Sequence, residues 1–129
     1  MKRTSKLEIE KYSSFDEIQK AVILILKNEL HAEKLSAMKF WCKQWINHIE
    51  AICLAKIDND YVASTILLNP VVDINIGVYV KPQFRRQGIG AKLIASIKIV
   101  KPKIHLRPCV STQIRKNFYT SVGLVADTV

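Results

Sequence analysis

The stretch Val80-Lys81-Pro82-Gln83-Phe84-Arg85-Arg86-Gln87-Gly88-Ile89-Gly90 carries a strand into a glycine loop that opens a helix. Ahead of it, Ile74, Ile76, Val78 and Val80 alternate with other residues, the period of a strand. Pro82 lacks the N–H that a sheet ladder needs, so pairing is expected to stop there. Behind it, Ile89, Leu93, Ile94, Ile97 and Val100 recur at helical spacing. Gly88 and Gly90 let the backbone turn sharply and keep side chains out of a ligand's way. The product is a set of free N–H groups at the positive end of a helix, flanked by Arg85 and Arg86. That is the chemistry of a pyrophosphate cradle.

Spacing narrows the kind of cradle. A dinucleotide fingerprint G-x-G-x-x-G would need glycine at position 93, which is Leu93. No G-x-x-x-x-G-K-[ST] run of a Walker A loop occurs. What remains is R-x-x-G-x-G at Arg85, Gly88 and Gly90, led in by V-x-P at Val80 and Pro82. With its strand, proline and amphipathic helix, this resembles the acetyl-CoA-binding motif of the GNAT superfamily of N-acetyltransferases.

Outside the motif, composition sets bounds. The chain has 129 residues, 49% hydrophobic and 24% charged, which fits one domain over 1–129 and argues against disorder. Its longest apolar run, Ala21 to Leu26, falls far short of a membrane span, and no membrane partner is expected. After Met1-Lys2-Arg3 the sequence turns polar instead of entering the apolar stretch of a signal peptide, so a cytosolic home is expected. Three cysteines (Cys42, Cys53, Cys109) and three histidines (His31, His48, His105) are scattered without ligand spacing, so no metal site is expected. The net charge of +9 favours an anionic partner. A polyanionic cofactor satisfies that preference; nucleic acid or an acidic protein is the alternative.

Along the chain, Leu7, Ile9 and Lys11 alternate with Glu8 and Glu10 as a first strand with one wet face. Ser14-Phe15-Asp16-Glu17 reads as a capping box for a helix whose stripe is Ile18, Ala21, Val22 and Ile25. Leu35, Met38, Cys42, Trp45, Ile46 and Ile49 follow as a second helical stripe, with Phe40 and Trp41 off it. Ile52 to Ile57 and Tyr61 to Leu68, separated by Asp58-Asn59-Asp60, read as a hairpin. After the motif helix, Lys101-Pro102-Lys103 breaks the pattern and leads into a short strand from Ile104 to Val110, with Pro108 as an irregularity. A last helix from about Thr112 to Val122 is expected to end at Gly123. The fold class is therefore α/β (α+β), in the order β-α-α-β-β-β-α-β-α with a short tail.

That order is the one found in the GNAT fold. The resemblance implies a mixed, mostly antiparallel central sheet flanked by helices, in which the fourth and fifth strands splay apart to admit the cofactor. It runs from the first strand to Gly123, with specific motifs at 78–91 and 112–124. The second motif, Phe118-Tyr119-Thr120-Ser121-Val122-Gly123-Leu124, is similar to the family's helix bearing a tyrosine that protonates or holds the departing CoA thiolate. Tyr119 stands at that position. A tyrosine suits the task because its ordinary pKa of about 10 keeps it protonated at neutral pH.

The resemblance further implies that the N–H groups of Arg86, Gln87, Gly88, Ile89, Gly90 and Ala91 hold the pyrophosphate of acetyl-CoA, with Arg85 beside them. Backbone groups of Val78 and Val80 would pair with the pantetheine amides and meet the oxyanion formed on attack. Thr112 stands where many members carry asparagine. A carboxylate base on the fourth strand has its nearest counterparts in Asp73 and Glu50. An amine attacks the thioester directly, so no enzyme nucleophile is required, and the cysteines are poor nucleophile candidates.

The chain departs from the family at its C-terminus, where only Val125-Ala126-Asp127-Thr128-Val129 follow Leu124. A truncated closing strand implies an open acceptor groove, or a strand borrowed across the open sheet edge in a homodimer. The leading expectation is an acetyl-CoA-dependent N-acetyltransferase whose acceptor is an amine-bearing small molecule or protein. The alternatives are a CoA-binding interaction module without catalysis and, less favoured, a basic nucleic-acid-binding protein.

Overall fold

The computed structural model describes residues 6–31, 46–69, 75–106 and 113–122. Strand β1 (Leu7–Tyr12) leads into helix α1 (Phe15–Lys27); β2 (Ile49–Ile57), β3 (Asp60–Leu68) and β4 (Ile76–Val80) follow, then α2 (Ile89–Val100) and α3 (Gln113–Ser121). The four strands form one antiparallel sheet in the order β1-β2-β3-β4. Residues 107–110 of the splayed fifth strand that the resemblance implies fall outside the described residues, as does the tail beyond Val122.

Local chemistry explains the joints. Ser14 Oγ accepts the Glu17 N–H at 3.2 Å and the Glu17 carboxylate accepts the Ser14 N–H at 3.1 Å, so the expected capping box starts α1. Asp58 and Asn59 both take left-handed conformations, φ 50° and 70°, between the paired residues Ile57 and Asp60. Two left-handed residues make the tight turn that matches strand twist, which is why the hairpin forms at this Asp-Asn pair.

The period of the strands sorts their side chains onto two faces. Leu7, Ile9, Cys53, Ala55 and Ala63 pack on one face against Leu93, Ile94 and Ile97 of α2. Ile52, Leu54 and Ile66 pack on the other against Ile18, Val22 and Ile25 of α1. Small residues under α2, such as Ala51, Ala55 and Ala63, let that helix approach the sheet closely; all three are fully buried. Two polar side chains inside are satisfied: Ser64 Oγ donates to the Leu30 carbonyl at 2.8 Å, and Asn75 Nδ2 donates to the His105 carbonyl at 2.8 Å.

On the α1 face lies a polar cluster. The Tyr12 and Tyr61 hydroxyls each donate to Glu10 Oε1 at 2.6 Å, and Lys56 Nζ lies 3.3 Å from Glu10 Oε2. The Tyr12 hydrogen bond, then that of Tyr61, holds the Glu10 carboxyl below its ordinary range. Burial, followed by the bond to Glu10, pushes Tyr12 above the ordinary phenol range.

Two sequence expectations are corrected. The second helical stripe extends in the sequence through Ile46 to Ile49, but Ile46–His48 form a short 3₁₀ turn and Ile49 already opens β2. Ile49 is buried with Ile52, Leu54 and Leu68 under α1, so sheet packing overrides the helical spacing. Residues 35–45 of that stripe lie outside the described residues. The strand expected from Ile104 does not begin there, because the Ile104 N–H closes a turn onto the Lys101 carbonyl at 3.3 Å. Residues 107–110 of that expectation lie outside the described residues.

Candidate functional site

At the end of β4 the chain executes the turn that the opening stretch anticipates. The last rung of the ladder is the Lys81 N–H on the Val62 carbonyl at 2.9 Å. Pro82 then starts a 3₁₀ turn, Pro82–Phe84, closed by the Phe84 N–H on the Lys81 carbonyl at 2.9 Å. Arg86 is left-handed at φ 64°, and Gly88, the residue capping α2, is left-handed at φ 79°. The first bond into α2 is the Lys92 N–H on the Gly88 carbonyl at 3.2 Å. The N–H groups of Gly88, Ile89, Gly90 and Ala91 thus precede the helical ladder and point out of its positive end.

The register of β4 determines which of its backbone groups are free. Lys81 donates to Val62, and Leu68 donates to Asn75 at 2.6 Å. These bonds make Ser64–Tyr79 and Ile66–Gly77 the hydrogen-bonded pairs. Val78 and Val80 therefore turn their N–H and C=O groups away from β3. The Val80 carbonyl accepts from Arg85 Nε at 2.8 Å, and the Arg85 guanidinium lies 5.6 Å from the Tyr79 ring centroid. The side chain of Arg85 is thereby folded back along the strand edge.

These parts surround one cavity of about 610 Å³. Val78 and Val80 of β4 form one wall, Arg85 and Arg86 the loop side, and Gly88, Ile89, Gly90 and Ala91 the helix end. Tyr119 of α3 also lines the cavity and is 5% exposed, so its ring belongs to the core as well as to the cavity. Of the tyrosine and the cofactor-binding residues expected from the sequence, Gln87 and Thr112 are not among this lining: Gln87 is exposed, and Thr112 lies outside the described residues. Asp73 lies outside them too, and Glu50 is held by an ion pair to Lys101 at 3.7 Å.

Tyr79, Phe84, Phe118 and Ser121 also line the cavity and were not assigned to it from sequence. Alternation places Tyr79 on the opposite face from Val78 and Val80, so its contribution was hidden by a rule that treats a strand as two-sided. At a strand whose outer edge no other described strand covers, the cavity reaches both faces. Phe118 had a signal: it adjoins Tyr119 in the F-Y pair. Ser121 had none.

The two glycines of the loop are required for different reasons. A Cβ at Gly88 would meet nothing within 4 Å, so glycine is favoured there by its backbone alone. A Cβ at Gly90 would lie 2.9 Å from both Cε1 and Cζ of Phe118, so glycine is demanded there by packing.

A strand edge with outward amides, a glycine turn and a helix N-terminus share one cavity of an α/β protein, an arrangement whose chemistry suits an elongated anionic ligand lying along the strand. The family model described as Acetyltransferase (GNAT) domain matches residues 47–124, and the chain belongs to that family. Similar solved structures include the aminoglycoside N-acetyltransferase AAC(6')-Iy in complex with CoA, at 15% identity and TM-score 0.65, covering 100% of this chain and 95% of that one. Another is a ribosomal-protein-alanine N-acetyltransferase from Brucella melitensis, at 15% identity and TM-score 0.58, covering 96% of each chain. A third is the paia N-acetyltransferase from Thermoplasma acidophilum in complex with coenzyme A, at 16% identity and TM-score 0.58, covering 96% of this chain and 93% of that one. No curated protein matches the chain by sequence. At these identities the structures establish the shared fold.

Proposed function

We propose that this protein is an acetyl-CoA-dependent N-acetyltransferase that passes the acetyl group directly to an amine. The observation that carries this reading is the convergence, on one cavity, of the α2 N–H groups, the outward backbone of β4 and Tyr119. Family membership supports acetyl transfer as the reaction class.

The residues fit the cofactor. Gly88, Ile89, Gly90 and Ala91 present unshared N–H groups to a pyrophosphate, and Arg85 and Arg86 add positive charge at the rim. Val78 offers both of its backbone groups to a pantetheine amide, while Val80 offers its N–H, its carbonyl being taken by Arg85. Bound there, acetyl-CoA supplies a thioester whose carbonyl carbon an amine can attack. The new C–N bond forms as the C–S bond breaks, and the amine's surplus proton leaves to water. Tyr119 gives its hydroxyl proton to the departing thiolate, or hydrogen-bonds that sulfur as charge builds on it. An N–H of β4 donates to the carbonyl oxygen where negative charge develops.

Thiol release from acetyl-CoA over a panel of amines, compared between the native chain and Tyr119→Phe, tests the reading. The native chain is expected to acetylate at least one amine. Tyr119→Phe is expected to lower kcat by about 100-fold, the scale of a lost general acid, with the Kd for CoA within about twofold of native. A chain that binds CoA yet acetylates no amine would instead be an interaction module.

A further inference from the structure

Gly90 and Tyr119 both line the cavity, and one side chain connects them. The Phe118 ring lies over Gly90 so closely that a Cβ there would stand 2.9 Å from two of its carbons. The same ring meets Tyr119 edge-on, with centroids 5.1 Å apart and planes at 67°. Phe118 is half-buried against the α2-side core, and both aromatic rings line the cavity. At its far end α3 is tied to α2 by Lys98 Nζ on the Val122 carbonyl at 3.2 Å. Between these points the ring of Phe118 rests on the bare Cα of Gly90 at the start of α2.

We propose that Phe118 is the positioning residue for Tyr119, using the side-chain gap at Gly90 as its seat, so that the glycine is required by α3 and not by the ligand. The proposal rests on the acetyl-transfer reading above. A phenyl ring is rigid beyond its Cβ, so it cannot yield to a methyl group at position 90 by bending. It must swing or move with its helix, and either motion displaces the Tyr119 ring that it abuts. The pyrophosphate-facing N–H groups belong to the α2 backbone, which a methyl group at 90 leaves helical. Cofactor affinity and catalysis therefore separate.

The test is a cycle of Gly90→Ala, Phe118→Leu and the double variant in the full chain. Leucine removes the distal ring atoms that a Cβ at 90 would strike while keeping an apolar plug. Gly90→Ala is expected to lower kcat at least tenfold with the Kd for CoA within threefold of native. In the Phe118→Leu background, adding Gly90→Ala is expected to change kcat less than threefold. The ring signal of ¹³C-labelled tyrosine, assigned to Tyr119 by Tyr119→Phe, is expected to shift on Gly90→Ala only when Phe118 is present. Equal effects of Gly90→Ala in both backgrounds would overturn the proposal, as would a loss of CoA binding matching the loss of turnover. If the native chain acetylates no amine, the acetyl-transfer reading fails by itself. The tyrosine signal in the cycle then still decides whether Phe118 places Tyr119.

Discussion

At Gly88 the cost of a side chain is conformational and can be isolated, because a Cβ there meets no neighbour while φ is 79°. Gly88→Ala is therefore expected to destabilise the chain by about 1–2 kcal/mol, the penalty for a left-handed non-glycine residue. Denaturant unfolding with an unchanged m-value would check it, and a cost near zero would mean that the loop readily takes another course. Arg86 already bears such a conformation at φ 64°, so the loop holds a charged residue at a position where glycine or asparagine would sit more easily. Glu10 offers a second residue-level test. Its carboxyl is held low, first by the Tyr12 hydroxyl and then by that of Tyr61. A depressed folded pKa contributes stability that is present above the unfolded carboxylate value, about 4.3, and lost as pH falls through the folded one. Glu10→Gln is thus expected to flatten the decline in stability below about pH 4.3, measured as unfolding midpoints across an acid series. An unchanged acid decline in the variant would remove Glu10 as its source.

At the scale of elements, α1 is set by its start. Both halves of the Ser14–Glu17 box are formed at an exposed helix end, so little else replaces them. Ser14→Ala is expected to cost about 1 kcal/mol, read from chemical denaturation, whereas Ser14→Asp should retain most of the cap. A loss below about 0.3 kcal/mol would mean that tertiary packing, not the cap, fixes the helix start. The sequence made this element legible because the cap, the stripe and the burial pattern are all local. The β2–β3 hairpin and the β4–α2 motif were legible for the same reason, each announced by a turn residue at a fixed offset. The start of β2 was not. Ile46 and Ile49 fit a helical period equally well, and only the burial of Ile49 with Ile66 and Leu68 of β3 decides otherwise. The cavity followed the same division. Its glycines, arginines and tyrosine could be read from two motifs, while Tyr79 and Ser121 enter it only through the placement of the outer edge of β4 and of a helix distant in sequence.

For the whole molecule, charge and cavity act together. The chain carries a formal net charge of +9, and the loop arginines place part of it at the rim of the cavity along β4. If the ligand is polyanionic, its association combines short-range N–H contacts, which salt barely screens, with a longer-range attraction that salt does. Acetyl-CoA at 100 times its Kd is expected to stabilise the fold by about 2.7 kcal/mol. That amounts to a rise in Tm of roughly 10 °C for a domain of this size. NAD, whose fingerprint the loop lacks, should leave the midpoint unmoved. Raising salt shortens the screening length from about 10 Å at 0.1 M to about 3 Å at 1 M, so the Kd for CoA should weaken severalfold between those limits. The double variant Arg85→Gln/Arg86→Gln should bind more weakly at low salt and lose most of that salt dependence, since the N–H groups of α2 remain. Calorimetry of both proteins across the salt series separates the two contributions. A native Kd indifferent to salt would place the phosphates away from the arginine rim, and a Tm that responds to NAD as strongly as to CoA would overturn the assignment of the cradle.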